Sequence, residues 1–203
     1  GQILVPFAVE SALSGVGKAV GKEKELWYCR TFNIPSSWKN KKILLHFGAV
    51  DWKADVWVNK VKVGQHTGGF TPFSFDITPA LLNGENELIV KVWDPTDKGP
   101  QPRGKQVSKP GGIWYTPVSG IWQTVWLEPV PIRSIGNIKT TPDIDRNKLT
   151  VEVMTDHQML SDKLEVKVLE GKQLVAVGSS VNGIPVEIAM PSDVKWWSPD
   201  SPF

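Results

Sequence analysis

The chain has 203 residues, of which 40% are hydrophobic and 22% charged, a balance typical of a globular protein. A formal net charge of +2 excludes the strong field that draws nucleic acid or an anionic membrane, and ten tryptophans exclude a disordered chain. No uncharged apolar run approaches the length of a transmembrane helix, so we expect neither a membrane span nor a nucleic-acid partner.

Short segments rich in β-branched and aromatic residues follow one another through the first 130 residues. They predict strands at 25–32, 42–47, 54–58, 71–77, 86–93 and 121–128. Asn59 and Lys60 separate two valine-rich runs, which predicts a tight hairpin. One helical turn is predicted over residues 78–84, where Thr78 can cap it.

The composition changes after Pro129 and Pro131, which predict an extended linker. Eight of the ten tryptophans precede these prolines. Further strands with alternating polarity are predicted at 132–141, 148–154, 163–169, 172–181 and 185–190. Five strands are fewer than the seven of an immunoglobulin-like domain, and the final segment reads as if another strand should follow. We therefore expect a first domain over residues 1–130 and a truncated second domain over residues 131–203.

Catalytic motifs are hard to find in this sequence. It has no Gly-x-Ser-x-Gly and no phosphate loop, and none of its 21 acidic residues can be paired from sequence alone. His46, His66 and His157 are scattered, which favours structural roles. The single Cys29 lies in a strand pattern, which predicts a buried, inert thiol and excludes an intrachain disulfide or a cysteine zinc site. We expect no cofactor.

The segment 94–120 is a long stretch without an apolar period. Loops of this length in compact domains are usually functional or disordered. Its polar and aromatic side chains suit a sugar, because hydroxyls accept hydrogen bonds and C–H faces lie on aromatic rings. These side chains are Arg103, Lys105, Gln106, Trp114 and Tyr115. The alternative is that the two aromatic residues only anchor the loop.

The tryptophans divide into two groups by their position in the pattern. Those inside strand patterns are expected in the core, because a buried indole removes much apolar area from water. They are Trp27, Trp57, Trp93, Trp122 and Trp126. Those nearer turns are the candidates for contact with a ligand: Trp38, Trp52 and Trp114. Trp196 and Trp197 are expected to close the second domain.

Nine short phrases occur in a characteristic order along the chain. They are residues 5–17 (VPFAVESALSGVG), 27–32 (WYCRTF), 47–52 (FGAVDW), 56–59 (VWVN), 64–73 (GQHTGGFTPF), 75–78 (FDIT), 104–106 (GKQ), 119–128 (SGIWQTVWLE) and 197–202 (WSPDSP). In this order they resemble the N-terminal part of glycoside hydrolase family 2, which includes β-galactosidases and β-glucuronidases. The resemblance covers essentially the whole chain.

The resemblance implies an all-β fold, a galactose-binding-like jelly-roll β-sandwich followed by an incomplete immunoglobulin-like β-sandwich. It implies a non-catalytic fragment of a retaining β-glycosidase, whose two catalytic glutamates lie in a missing (β/α)8 barrel. The long loop would then help to enclose a β-glycoside at the barrel mouth. The substrate-binding residues implied are Asp94, Arg103, Lys105, Gln106 and Trp114. The resemblance is also compatible with a homo-oligomer of the full-length enzyme.

Two other functions fit the same sequence. An autonomous carbohydrate-binding module would expose Trp38, Trp52 or Trp114 as a platform. A purely structural cell-surface module would have a polar loop at 94–120 with no exposed aromatic side chain. For a polysaccharide-degrading enzyme we expect a periplasmic or secreted location.

Overall fold

Strands dominate the structure, a computed structural model that describes residues 1–156, 162–194 and 197–200. The chain divides into two compact units, Gly1–Ile132 and Arg133–Phe203. In the described residues the helical elements are three single 3-10 turns, at Ala12–Ser14, Ser36–Trp38 and Thr78–Ala80. The all-β prediction is confirmed, and the predicted helical turn at 78–84 is present in shortened form. No helix in the described part of the chain is long and apolar enough to cross a membrane.

The first unit is built from antiparallel strands that form two main sheets and one short pair. The strands are β1 (Glu25–Asn33), β2 (Lys42–Phe47), β3 (Val50–Asp51), β4 (Lys53–Val58), β5 (Val61–Thr67), β6 (Phe73–Asp76), β7 (Glu85–Trp93), β8 (Gly120–Ile121) and β9 (Val125–Val130). The sheets have the orders β1-β7-β4-β5 and β6-β2-β9, and β3 pairs with β8.

Alternation along the strands builds the core of this unit. In β2 every second side chain is buried, at Ile43, Leu45 and Phe47, because successive side chains point to opposite faces of a sheet. These residues share one apolar cluster with Val56 of β4 and Val90 of β7. The inner faces of both sheets therefore contribute to one core, as in a β-sandwich. Burying each such side chain contributes about 1.5–3 kcal/mol.

The hairpin between β4 and β5 turns at Asn59 and Lys60, as predicted. Their φ angles of 49° and 69° are both positive, which is the conformation of a type I′ turn. The Asn59 amide also donates to Asn86 Oδ1 at 2.7 Å and to the Ala80 carbonyl at 2.8 Å. Its Oδ1 accepts from the Glu87 backbone N–H at 2.9 Å. These bonds explain how the turn forms without the usual glycine.

The segment predicted as a linker is instead the end of a strand. Pro129 and Val130 lie in β9, opposite Ile43 and Lys42 of β2. β9 is an edge strand, where a proline leaves no inter-strand hydrogen bond unmade. The prediction of an extended linker was therefore wrong at Pro129 and Val130, because an edge position tolerates the residue that suggested a break. Pro131 lies outside the strand, next to the boundary between the two units.

The second unit contains further antiparallel strands close to the predicted positions. They are β10 (Ile135–Asp143), β11 (Lys148–Thr155), β12 (Lys163–Glu170), β13 (Gln173–Val181) and β14 (Val186–Ala189). They form sheets of order β10-β11-β14 and β12-β13. Val151, Val186 and Ile188 are the buried centre of this unit. The separate domain assignments to residues 1–130 and 131–203 stay predictions.

Three tryptophans expected in the core lie on the surface. Trp27, Trp126 and Trp93 are 62%, 44% and 37% exposed. The predicted alternation of inward and outward side chains is present, but the tryptophans lie on the outward face. The neighbouring residues, such as Leu26 and Tyr28 beside Trp27, pack against the core. An apolar residue on the outward face of a strand gives the same local pattern as one on the inward face.

One further prediction about a single residue is wrong for the same reason. Cys29 lies on the outward face of β1, so its thiol is exposed instead of buried. Trp38, a candidate for ligand contact, lies in a 3-10 turn and is half-buried against the core, and its contact with a ligand stays a prediction. His157 and Trp196 lie outside the described residues, and Trp197 is exposed.

Candidate functional site

The long loop joins β7 to β8, and its two ends are fastened by one buried carboxylate. Asp94 Oδ1 accepts a hydrogen bond from the Thr96 backbone N–H at 2.6 Å, and Oδ2 accepts from the Ser119 hydroxyl at 2.6 Å. Asp94 is 7% exposed. The structure therefore gives this side chain a role in holding the first and last residues of the loop together. Its predicted contact with a sugar stays a prediction.

Two more carboxyl groups lie beside Asp94 at the base of the loop. Glu10 Oε2 accepts from the Ser119 backbone N–H at 3.0 Å, while its other oxygen is buried without a hydrogen-bond partner. Burial, together with the charges of Asp94 and Glu10, raises the pKa of Asp51 to about 7. Burial also raises the pKa of Glu10. At neutral pH Asp51 is therefore protonated in about half of the molecules, whereas an isolated aspartate would be ionised.

The wall around these acids is formed by a tyrosine and two glycines. The Tyr28 hydroxyl accepts from the Ile121 backbone N–H at 3.3 Å, and burial raises the pKa of Tyr28 to about 12. Gly120 has a φ of 85°, and a Cβ there would collide with the Tyr28 hydroxyl. A Cβ on Gly69 would lie 2.6 Å from Asp51 Oδ1. Among the described residues, no three His, Cys, Asp or Glu side chains are arranged to hold a metal ion.

The middle of the loop is fastened by its own polar residues. Arg103 Nη1 donates to the Asp97 carbonyl at 3.1 Å, and Gln106 Oε1 accepts from the Val118 backbone N–H at 2.5 Å. The Asp97 carboxylate accepts from the Ser108 hydroxyl at 2.6 Å and from its backbone N–H at 3.1 Å, which lowers the pKa of Asp97 to about 2. Three of the five predicted sugar ligands, Asp94, Arg103 and Gln106, thus have hydrogen bonds within the loop.

The tip of the loop is exposed and aromatic. Ile113, Trp114 and Tyr115 are 66%, 42% and 63% exposed. The Lys105 ammonium lies 5.9 Å from the centre of the Tyr115 ring, within the range of a cation–π contact. The backbone of Tyr115 also donates to the Lys105 carbonyl at 2.8 Å. The loop therefore brings Lys105 together with the tip, while Asp94 stays at its base.

These observations argue against a purely structural module and add two acids, Glu10 and Asp51, to the candidate site. A purely structural module was expected to lack exposed aromatic side chains in this loop, and Trp114 and Tyr115 contradict that expectation. Glu10 and Asp51 were missed, because they lie far from Asp94 in the sequence and meet it only in the fold. The one signal was Asp51 itself, an acid that directly follows an apolar run.

Most of the first unit matches a known protein family. Residues 15–131 match the family described as "Glycosyl hydrolases family 2, sugar binding domain". A β-galactosidase of Thermoanaerobacter pseudethanolicus is 38% identical over 104 residues, which is 50% of this chain and 13% of that protein. A β-galactosidase of Halalkalibacterium halodurans is 26% identical over 189 residues, 87% of this chain and 17% of that protein.

A solved structure extends the similarity to both units. A β-glucuronidase of an uncultured Clostridium species superposes with a TM-score of 0.70 at 26% identity, covering 97% of this chain and 34% of that one. The chain thus spans about a third or less of the length of each of these three relatives.

Proposed function

The chain belongs to glycosyl hydrolases family 2 through the sugar binding domain of that family, and from this premise we propose that it is a non-catalytic part of a β-glycosidase. Its first unit shapes the sugar pocket of a catalytic (β/α)8 barrel elsewhere in the same protein. Relatives named β-galactosidase and β-glucuronidase support a β-galactoside or β-glucuronide as the substrate.

The observation that carries this proposal is the contrast between the base and the tip of the loop. Buried hydrogen bonds to Asp94 hold the base and a hydrogen bond to Gln106 holds the middle, while Trp114 and Tyr115 stand exposed at the tip. A side chain that is held by a fixed base can position a substrate without large loss of entropy on binding. Indole and phenol rings offer flat faces to the C–H groups of a sugar, and Lys105 offers a charged donor.

The reaction in this proposal is retaining hydrolysis by two glutamates on the barrel, one as acid and base and one as nucleophile. The proposal assigns that role to none of the acids of this chain, and Asp51 and Asp94 are buried at the base of the loop. The chain contributes orientation and exclusion of water. Export to the periplasm or the cell exterior remains part of the proposal, and so does assembly of the whole enzyme into a homo-oligomer.

Hydrolysis by the isolated 203-residue chain tests the division of labour. The purified chain is incubated with chromogenic β-galactoside and β-glucuronide, and release of the chromophore is followed. We expect no release above that of a heat-denatured sample. Turnover that disappears in Trp114→Ala would contradict the proposal, because it would place the reaction within this chain.

A second function, an autonomous carbohydrate-binding module, is favoured by the exposure of Trp114 and Tyr115. It requires the chain alone to bind oligosaccharide through the loop tip. Calorimetry with millimolar sugar distinguishes the two functions. Binding that is lost in Trp114→Ala supports the module. If the chain does not bind sugar, or if Trp114→Ala binds as well as the unmodified chain, the loop has only the proposed role of shaping the pocket of the barrel.

A further inference from the structure

The outer face of the sheet β1-β7-β4-β5 presents three tryptophans that have no role in the loop. Trp27 of β1 lies opposite Lys91 of β7, and Lys91 lies opposite Asp55 of β4. Trp93 and Trp57 each lie two residues further along their strands. Because side chains on one face recur at every second residue, all three indoles share the outward face.

Two of these indoles form a nearly parallel pair. The ring centres of Trp27 and Trp57 are 6.0 Å apart, and the angle between the ring planes is 17°. The Lys91 ammonium lies 5.9 Å from the Trp27 ring centre, and the Lys62 ammonium lies 5.8 Å from that of Trp57. Trp27 nevertheless keeps 62% of its surface exposed. The pair forms an aromatic strip with an open face.

Ion pairs hold the strip and neutralise it. Asp55 contacts Lys62 at 2.6 Å and Lys91 at 3.5 Å, and Lys91 also contacts Glu25 at 3.3 Å. The hydrogen bond from Lys62 lowers the pKa of Asp55, so this carboxylate stays charged well below neutral pH. Two acids and two lysines therefore cancel, and the lysines beside the rings are fixed by their partners.

A shallow groove lies at one end of the strip, between Trp27 and Trp93. Its volume is about 480 Å³, and its other lining residues are Lys22, Glu23, Lys24 and Glu25. Trp93 Nε1 donates to the Lys22 carbonyl at 2.8 Å, which fixes the second indole against the edge of the groove. The two lysines and two glutamates of the lining also cancel in charge.

We propose that this face binds a neutral oligosaccharide, with pyranose rings on Trp27 and Trp93 and hydroxyl groups bonded to the charged side chains of residues 22–25. Exposed indoles with a polar border and no net charge suit a ligand that has both C–H faces and many hydroxyls. The cores of protein interfaces are depleted in charged residues. The ion-paired side chains of Asp55, Lys62, Lys91 and Glu25 lie among these indoles, which favours a hydroxylated ligand over a protein partner. The site shares no residue with the loop 94–119.

Titration calorimetry on the 203-residue chain tests the proposal, with cellohexaose and β-1,4-galactohexaose as neutral probes. We expect at least one probe to bind with a Kd of about 1 mM or tighter, and Trp27→Ala to weaken it by about tenfold or more. Trp126→Ala is the matched control, because it removes an indole from the outer face of the other sheet and should leave the affinity unchanged. Thermal unfolding of each variant shows that the fold is intact, and Trp27→Phe, which keeps an aromatic face, should retain part of the affinity.

The proposal fails if neither probe binds at millimolar concentration, or if Trp27→Ala binds as well as the unmodified chain. It also fails if sedimentation shows a dimer that Trp27→Ala dissociates, because this face would then be an interface between copies. An affinity that falls steeply with added salt would overturn the assignment to a neutral ligand. Binding lost in Trp114→Ala and kept in Trp27→Ala would place the sugar at the loop tip and overturn this second site alone.

Discussion

Removing the charge of Asp51 should make the protein more stable at neutral and alkaline pH. Its pKa of about 7, against 3.8 for an ordinary aspartate, means that folding favours the protonated form. Each pKa unit corresponds to about 1.4 kcal/mol, so the ionised side chain costs the folded state up to about 4 kcal/mol. A typical domain has only about 5–15 kcal/mol of unfolding free energy, so this cost is a large share of it.

The sign follows from the protons bound in each state. Below pH 4, Asp51 is protonated in both the folded and the unfolded chain, and it costs nothing. Between about pH 4 and pH 7 the folded state holds one more proton, so the free energy of unfolding falls by about 1.4 kcal/mol per pH unit. Above pH 7 the full cost is present.

Urea denaturation of Asp51→Asn, followed by tryptophan fluorescence between pH 4 and pH 8.5, measures this cost. We expect the variant to match the unmodified protein at pH 4 and to exceed it by about 2–4 kcal/mol at pH 8. Glu85→Gln, which removes an exposed charge from the start of β7, is the control and should change little at any pH. A variant that is equally destabilised at every pH would refute the reasoning, because the unmodified carboxyl would then have no charge-dependent cost.

Four further substitutions test the packing of the first unit. Asp94→Asn weakens the bonds that join the two ends of the loop, so we expect a loss of about 1–3 kcal/mol and faster hydrogen exchange across residues 94–119. Gly69→Ala places a Cβ 2.6 Å from Asp51 Oδ1 and should cost about 1–3 kcal/mol in chemical denaturation. Trp27→Ser should change the unfolding free energy by less than about 1 kcal/mol, whereas Phe47→Ala, at a fully buried ring, should cost about 3–5 kcal/mol. Equal losses for these last two would show that Trp27 packs in the core after all.

The positions of the strands could be predicted from the sequence because alternation is a local property. The segment from Glu25 to Asn33 has the same period whether Trp27 or Tyr28 faces the core. The choice of face depends on which side chains meet across the sandwich, and the sequence does not contain that information locally. The errors at Trp27 and Cys29 have this one cause.

The candidate site was predictable only in part, for a related reason. The long loop and its aromatic tip could be recognised, since 94–120 lacks any apolar period. The carboxyl groups at its base could not, because Glu10, Asp51 and Asp94 come from three distant parts of the chain that meet only in the fold. Their shifted pKa values depend on burial in the folded chain, which residue types alone do not specify.

In the proposed family 2 enzyme, the tip of the loop faces the sugar. Steady-state kinetics of the longer enzyme, which includes the catalytic barrel, test this placement most directly. For hydrolysis of a β-glycoside we predict that Trp114→Ala lowers kcat/KM by about tenfold to a hundredfold, a loss of about 1.4–2.8 kcal/mol of transition-state binding. Trp126→Ala, which removes an exposed indole from β9, should leave kcat/KM unchanged. Unaltered kinetics in Trp114→Ala, or an equal loss in both variants, would contradict the claim.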